Sequence, residues 1–434
     1  MSPLPQEFPL RRALNEEAHA RPPEALRAPQ RITFLALYDA GIERVKHEAP
    51  LRELCKRYMI EPPPAGVSHF SGDCGKFRVK WEKHTEFTRY KFIIGGTSPS
   101  PFAEPALQSV PQEWLSSLPG EIISATHVAL LPFGRETPDV EKLAGEHFIG
   151  NTIVGSLVAD GGALAITDYR IRDDGFSRLL VLDRNLTPRQ AGRTVQRLLE
   201  MEAYRILAML ALPIARELSP SLTTAERDLV DITAAMADVA AVDEPALLDR
   251  LTRLEAQIQK RHFETASRFS AAEAYYRLIQ RRTEELREKR VEGLQTFREF
   301  VERRLSPAMS TITATSARHE KLALRIAQAT QLLSTRVDVS RQQHNQRVLE
   351  SMNQRVLLQL RLQQTVEGLS VAAITYYLVG LLSYLFKGAA VAGLVGRADL
   401  LIAISVPLVA ALVAIGVRGA RRFLGGGSDH SKSA

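Results

Sequence analysis

The chain has 434 residues, 45% of them hydrophobic and 24% charged, which is enough for two or three structural units with buried cores. Its two cysteines, Cys55 and Cys74, lack metal-ligand spacing, so a disulfide framework is not expected and a reducing compartment is favoured. The net charge of +7 is compatible with binding to nucleic acid or to anionic lipid. Because the basic surplus lies largely between Arg318 and Gln364, ahead of an apolar region, we expect a lipid bilayer as partner and no nucleic acid.

Residues 1–30 are rich in proline and are predicted to form an extended segment. They contain no apolar stretch behind a positive charge, so no secretory signal peptide is expected and the following residues should remain in the cytoplasm. Strand signals then dominate, beginning with the apolar run RITFLALY at 31–38. Since helical stretches are few before residue 187, we predict a cytoplasmic α+β domain with a mixed or antiparallel sheet over 31–186.

Two local signals in and after this domain are specific. Asp160, Gly161 and Gly162 separate two apolar runs, and this turn composition predicts a β-hairpin. Thr187 followed by Pro188 predicts the start of a helix, with the threonine as its cap and the proline in its first turn. The sheet domain should therefore end where this helix begins.

Another hairpin is predicted from KFRVKWE at 76–82 and EFTRYKFII at 86–94. Glu82, His84 and Glu86 alternate around its turn, and a histidine with two carboxylates can bind a divalent metal ion. The alternative is an ordinary charged face exposed to solvent. We favour that alternative, so no metal site is assigned.

The sequence contains none of the motifs that commit a chain to a particular reaction. A Gly-rich phosphate loop, a GxSxG elbow, HExxH and CxxC are all absent, and the ten histidines are scattered. We therefore expect a protein that is not an enzyme and has no cofactor. A membrane-tethered enzyme would need a concave polar site that these residues do not reveal.

Residues 187–367 are predicted to be almost wholly helical and to form a long, coiled-coil-like stalk. One stretch follows the 4-3-4 spacing of a coiled-coil seam, namely Leu247, Leu251, Leu254 and Ile258. The charges of 277–304 form pairs at helical spacing, such as Glu285 with Lys289, and indicate a solvated helix face. Many amide side chains in 328–364 are typical of a subunit interface or an aqueous passage.

The C-terminal region predicts two transmembrane helices. Residues 368–386 read GLSVAAITYYLVGLLSYLF and residues 400–417 read LLIAISVPLVAALVAIGV, and neither stretch contains a charged side chain. At 1.5 Å per residue each reaches about 27–28 Å, close to the thickness of the hydrocarbon core of a bilayer. A pair of buried core helices is the alternative, but two adjacent apolar runs are difficult to cover in a chain otherwise rich in Arg and Glu.

The charges that flank these spans predict their orientation. Three arginines precede the first span and three follow the second, namely Arg347, Arg355 and Arg361, then Arg418, Arg421 and Arg422. The outer loop, 387–399, carries one Lys, one Arg and one Asp. By the positive-inside bias both termini should face the cytoplasm, including a basic and then Gly/Ser-rich tail at 418–434.

Ser370, Tyr377 and Tyr384 recur every seven residues in the first span and therefore lie along one stripe of the helix. Such a polar stripe could line a pore or a helix interface. The alternative, which we favour, is that the tyrosines mark the membrane interfaces and the serine is incidental. These three residues are the candidate site that the sequence offers.

Two longer stretches are PLRRALNEEAHARPPEALRAPQRITFLAL near the N-terminus and QLRLQQTVEGLSVAAITYYLVGLLSYLFKG around the first span. They resemble a family of uncharacterised bacterial membrane-anchored proteins. The resemblance covers nearly the whole chain and implies a protein of the bacterial inner membrane. That family has no activity to carry over.

The architecture also resembles the CorA-type magnesium channels, in which a mixed α/β domain is followed by long helices and a C-terminal two-span hairpin. This resemblance implies a homo-oligomer, a pentamer, whose first span lines a pore. The Gly-Met-Asn signature that follows the first span in those channels is replaced here by Phe386, Lys387, Gly388 and Ala389. Because a lysine at the outer mouth would repel a divalent cation, selective magnesium transport is not carried over.

The sequence thus leads to two hypotheses of function. The first is a membrane-anchored homo-oligomer with a cytoplasmic sheet domain and a helical stalk, acting as a non-enzymatic scaffold or sensor. The second is a CorA-like ion channel or transporter with altered selectivity, for which a divalent cation is the candidate partner. Ion flux across liposome membranes distinguishes them.

Overall fold

A computed structural model describes most of the chain, namely residues 5–12, 14–15, 23–133, 139–150, 152–237, 243–392 and 396–425. Backbone contacts divide the chain into two compact units, Met1–Gln331 and Leu332–Ala434. The sheet belongs to the first unit, and the two apolar stretches predicted to span a membrane belong to the second.

The first unit is built on one eight-stranded sheet. Its strands are β1 Gln30–Tyr38, β2 His69–Asp73, β3 Arg78–Lys83, β4 Phe87–Gly95, β5 Glu121–Pro132, β6 Val154–Val158, β7 Ala163–Thr167 and β8 Ser177–Asp183. They lie in the order β2-β3-β4-β1-β5-β8-β7-β6. Strands β5 and β8 are parallel and all other neighbours are antiparallel, so the prediction of a mixed sheet in an α+β fold is confirmed.

The helices are α1 Arg44–Arg57, α2 Gln112–Ser116, α3 Val140–His147, α4 Pro188–Met209, α5 Ala211–Ala237, α6 Glu244–Glu285, α7 Phe297–Phe300, α8 Ser306–Val391 and α9 Ala398–Gly425. A π-helical turn at Val301–Leu305 joins α7 to α8. The chain after residue 187 is mostly helical, as predicted. Helix α6 packs against α4 and α5. The residues of its predicted apolar seam, Leu247, Leu251, Leu254 and Ile258, are buried.

Both specific local signals of the sequence are confirmed. Strands β6 and β7 form the predicted hairpin, and its turn places Asp160 at φ 61° and Gly161 at φ 98°, where glycine is favoured over other residues. At the start of α4, the side-chain oxygen of Thr187 accepts a hydrogen bond from the backbone N–H of Gln190, and the side-chain oxygen of Gln190 accepts one from the backbone N–H of Thr187. This capping box satisfies two backbone N–H groups that a helix terminus otherwise leaves unpaired.

The prediction of a continuous helical charge pattern through 277–304 is wrong. Helix α6 ends at Glu285, and the next residues run beside the edge strand β6 instead. Leu157 and Lys289 exchange two backbone hydrogen bonds of 3.0 and 2.7 Å, and Gly155 donates another to Gln295 at 2.9 Å. An edge strand exposes unpaired backbone groups, so this segment covers an edge that would otherwise be open.

The two faces of the sheet differ, because successive side chains of a strand point to opposite sides. One face is apolar: Trp81 of β3 and Tyr90 of β4 pack in a buried cluster with Leu51 of α1 and Trp114 of α2. The other face of β3 and β4 carries charged side chains and is covered by α4, which begins more than 90 residues later in the chain.

Candidate functional site

The apolar helices of the second unit expose their side chains. The most apolar window in the helix that contains α8 has a mean hydropathy of 1.8 and is 0% buried, and that of α9 has a mean hydropathy of 2.8 and is 6% buried. Both helices are long and apolar enough to cross a membrane. A core helix of a soluble domain would be mostly buried, so the structure does not support the alternative of two core helices.

Two of the three residues of the predicted polar stripe line one groove. This groove lies between the last turns of α8 and the facing part of α9 in the second unit, and its volume is about 870 Å³. Tyr377 and Tyr384 border it and are 75% and 79% exposed, and Lys387 lies at the end of α8 that follows them. Ser370 is not part of the groove lining, because it lies one heptad before Tyr377.

The small hydroxyl groups of these helices are used by the helices themselves. Ser370 Oγ donates to the backbone oxygen of Val366 at 2.8 Å, and Thr375 Oγ1 donates to that of Val371 at 2.7 Å. Ser383 does the same with Gly380 at 2.7 Å. These donors are therefore satisfied without water, which is what an apolar surrounding requires.

Glu82, His84 and Glu86 do not come together as a metal site. Glu82 lies within the first unit and is paired with Lys80 and Arg89. Glu86 accepts two hydrogen bonds from the guanidinium of Arg268 on α6, at 2.7 and 2.9 Å. The ring of His84 stacks on Phe87 with centroids 4.3 Å apart. Among the described residues, no cluster of three or more His, Cys, Asp and Glu side chains is placed to hold a metal ion.

The prediction that these charges lie on a face exposed to solvent is wrong, because Glu82 is part of a buried layer of charges between the sheet and the helices. Its neighbour across the strands is Arg89, and Arg89 Nη1 donates to Glu200 Oε1 of α4 at 3.0 Å. Arg282 of α6 donates to the other oxygen of Glu200 at 2.5 Å. Glu82, Arg89 and Glu200 are all less than 5% exposed. We call the buried side chains of Lys80, Glu82, Arg89, Lys91 and Glu200 the ionic layer.

Electrostatics decides the protonation of this layer. Burial alone would raise the pKa of Glu82, but the charges of Arg89 and Lys91 outweigh it and lower the pKa to about 2. Lys91 lies opposite Lys80 in the strand register, and burial together with the charge of Arg89 lowers its pKa to about 7. Lys91 makes no ion pair or hydrogen bond with the residues that the structure describes. The layer therefore carries more positive than negative charge.

Sequence reasoning missed the ionic layer and had one signal that could have indicated it. Glu200 and Glu202 stand among apolar residues in the α4 sequence LLEMEAY, where a purely apolar face would be expected for a helix that packs on a sheet. Buried acids need cationic partners, and the alternating cations of β3 and β4 are the complement. The sequence of neither segment, taken alone, indicates that α4 packs against β3 and β4.

Residues 6–424 match the family described as "Protein of unknown function (DUF3422)", and the chain belongs to that family. The resemblance to an uncharacterised family is thereby confirmed. Neither the curated proteins nor the solved structures contain a match to this chain. The architectural likeness to CorA-type channels therefore stays a prediction.

Proposed function

We propose that this protein is anchored in the bacterial inner membrane by a two-helix hairpin, the end of α8 and α9, and acts there as an oligomeric, non-enzymatic scaffold or sensor. One observation carries the anchoring: the apolar windows of these helices are 0% and 6% buried by the rest of the chain. Water is an unfavourable surrounding for such surfaces, at about 25 cal/mol per Å² of apolar area. A bilayer removes them from water without any other part of the chain.

The flanking charges support an orientation with both termini in the cytoplasm. Arginines occur on both sides of the hairpin, from Arg347 to Arg361 and from Arg418 to Arg422, while the short loop between the spans is nearly neutral. Pro407 inside α9 is compatible with this placement, because a neighbouring helix can satisfy the carbonyl that proline leaves unpaired.

A seam along α8 supports self-association. Before the first span, exposed apolar side chains follow a 3-4 spacing with amides between them: Leu349, Met352, Val356, Gln359, Gln363 and Val366. The same spacing continues into Ser370, Tyr377 and Tyr384. Copies anchored in one membrane would present this seam in parallel and at the same height, and amides at seam positions favour one register. A second copy of this chain is therefore the partner that fits best.

The alternative function is a CorA-like ion channel or transporter with altered selectivity. Its support is that the polar stripe of the first span lies on the same seam, so self-association would gather Ser370, Tyr377 and Tyr384 around one axis. Lys387 would follow the stripe at the outer end, where a ring of cations disfavours a divalent cation and favours an anion or a less selective pore.

Membrane fractionation of the full chain tests the anchoring. We expect the protein in the membrane pellet after both a high-salt and an alkaline wash, because apolar burial is insensitive to either. Release by the alkaline wash would show that the protein is bound only peripherally and would contradict the proposal.

Light scattering of the detergent-solubilised chain, with and without magnesium, then tests the oligomer. A monomer would contradict self-association along the seam of α8. A dimer would exclude a central pore built from one helix per copy. For a larger oligomer, flux of ions into liposomes decides between the two functions.

A further inference from the structure

A small cleft opens at the edge of the ionic layer, between α4 and α6 of the first unit. Its volume is about 180 Å³. It is lined by Pro23, Arg193, Gln196, Arg197, Glu200, Arg282 and Glu285. Three cationic side chains therefore face two acidic ones, and the acidic ones have further partners.

The first of the two carboxylates, Glu200, is fully engaged. Its Oε1 accepts hydrogen bonds from Arg89 Nη1 at 3.0 Å and from Gln196 Nε2 at 2.8 Å. Its Oε2 accepts from Arg282 Nε at 2.5 Å. The positive charges of Arg89 and Arg282 outweigh its burial and lower its pKa, so it is ionised at neutral pH.

The second carboxylate, Glu285, is engaged in the same way. Its Oε2 accepts from Arg197 Nε at 3.1 Å and from Arg282 Nη1 at 2.8 Å, and its Oε1 accepts from Arg281 Nε at 3.1 Å. Both oxygens of both acids are thus occupied by guanidinium groups. The two acids are shared among four arginines.

Cationic donors remain after these pairs are counted. A guanidinium has five N–H groups, and Arg197 uses one of them on Glu285 while Arg282 uses two on the cleft acids. Arg193 lies one turn before Arg197 on the same side of α4 and makes no ion pair or hydrogen bond with the described residues.

We propose that this cleft binds an oxyanion of the phosphate class, held by Arg193, Arg197 and Arg282. Planar guanidinium groups donate pairs of parallel hydrogen bonds to phosphate oxygens, and the guanidinium groups of this cleft carry N–H groups beyond those that its two acids accept. The volume is below the roughly 300–1,000 Å³ typical of sites for whole cofactors, so it accommodates a phosphate group rather than a nucleotide. All the residues belong to the first unit, so the proposal does not depend on membrane anchoring.

The test uses the full-length, detergent-solubilised protein in a buffer free of phosphate and sulfate. Inorganic phosphate is titrated in by calorimetry at constant ionic strength, against Arg193→Gln and the control Arg253→Gln. Arg193 is exposed and unpaired among the described residues, so its substitution should leave the fold intact. Arg253 is an exposed arginine of α6, paired with Asp249 and outside the cleft, and its substitution makes the same change in net charge.

We expect saturable phosphate binding by the unmodified chain, weakened about tenfold by Arg193→Gln because a charge-assisted contact is lost. Arg253→Gln should bind as the unmodified chain does. Equal affinities in the two variants, or no saturable binding of phosphate at all, would overturn the proposal. Membrane fractionation would be unchanged in either case, so this failure is distinct from a failure of the anchoring.

A phosphate group could reach the cleft free in solution or as a lipid headgroup. A second titration with short-chain phosphatidic acid below its micellar concentration distinguishes them. Tighter binding of this lipid than of phosphate, weakened by Arg193→Gln, assigns a headgroup, whereas equal or weaker binding assigns the free anion. Lipid binding that is insensitive to Arg193→Gln counts against the cleft as its site.

Discussion

The two units differ in the side chains that they bury and expose. In the first unit the sheet buries charge, with Glu82 at 0% and Arg89 at 4% exposure, and each has its partners inside the chain. In the second unit apolar and aromatic side chains are exposed, with Leu369 at 74% and Tyr377 at 75%. The described charges of the sheet are therefore compensated within the first unit, whereas the apolar side chains of the second unit remain exposed.

The strongest test of this contrast is to break the ionic layer. Glu82→Gln removes the carboxylate that compensates Lys80 and Arg89, and a buried pair that loses one member costs about 3–5 kcal/mol of unfolding free energy. The two tryptophans of the chain, Trp81 and Trp114, are both buried in the apolar cluster of the first unit. Chemical denaturation followed by tryptophan fluorescence therefore reports on this unit alone.

The matched control for that variant is Glu121→Gln on β5. Glu121 is exposed, so the same chemical change should alter the free energy of unfolding by less than about 0.5 kcal/mol. Equal losses in the two variants would mean that the layer is not buried as described.

The second unit should be sensitive to charge instead. Ala410→Arg places a cation in the middle of α9, and insertion of such a helix should become less favourable by about 2.5–3.5 kcal/mol. We expect a large part of the variant to leave the membrane pellet, while Ala410→Leu remains there. An unchanged pellet fraction for Ala410→Arg would indicate that α9 does not enter the hydrocarbon region.

Lys91 provides a test in which removing a charge should stabilise the first unit. With a pKa lowered to about 7, Lys91 loses its proton in the folded state while the unfolded chain keeps it to about pH 10. The unfolded state thus binds more protons over this range, and stability should rise as the pH increases from about 7 to 10.

Lys91→Met removes this titration. It should stabilise the first unit by at least about 1–2 kcal/mol at pH 7, and the advantage should shrink towards pH 10. Tryptophan fluorescence during denaturation at pH 7, 8.5 and 10 measures it. A variant that is less stable at every pH would show that Lys91 has a compensating partner.

The smallest effect concerns the helix that covers the ionic layer. Thr187→Ala deletes the cap of α4 and should cost about 1 kcal/mol of unfolding free energy. Thr224→Ala is the control, because Thr224 is exposed within α5 and its hydroxyl bonds only the preceding turn. A negligible loss for Thr187→Ala would show that tertiary packing alone fixes the start of α4.

Features that depend on neighbouring residues could be predicted from the sequence. The turn at Asp160 and Gly161, the cap at Thr187 and the apolar stretch around Tyr377 each follow from residues a few positions apart. The ionic layer could not be predicted, because Arg89 and Glu200 are 111 residues apart and each alone indicates an exposed position. The same holds for the cleft, whose arginines lie on α4 and α6 and meet only through packing.

The break after Glu285 was missed for a related reason. The charges that follow it are spaced as in a helix, but backbone pairing with β6 determines their conformation. The spacing of these charges is compatible with a helix but does not show whether one forms. The conformation depends on the open edge of the sheet, which exists only in the folded protein.

One measurement tests the central claim, that α8 and α9 place a hairpin across the membrane with both termini in the cytoplasm. A membrane-impermeant thiol reagent is applied to intact spheroplasts that express Gly396→Cys, in the loop between the helices, or Ser340→Cys, before the first span. The native Cys55 and Cys74 are buried, and burial raises the pKa of both thiols, so the unmodified chain gives the background. We predict labelling of Gly396→Cys in intact spheroplasts and of Ser340→Cys only after lysis. Labelling of both, or of neither, before lysis would contradict the account.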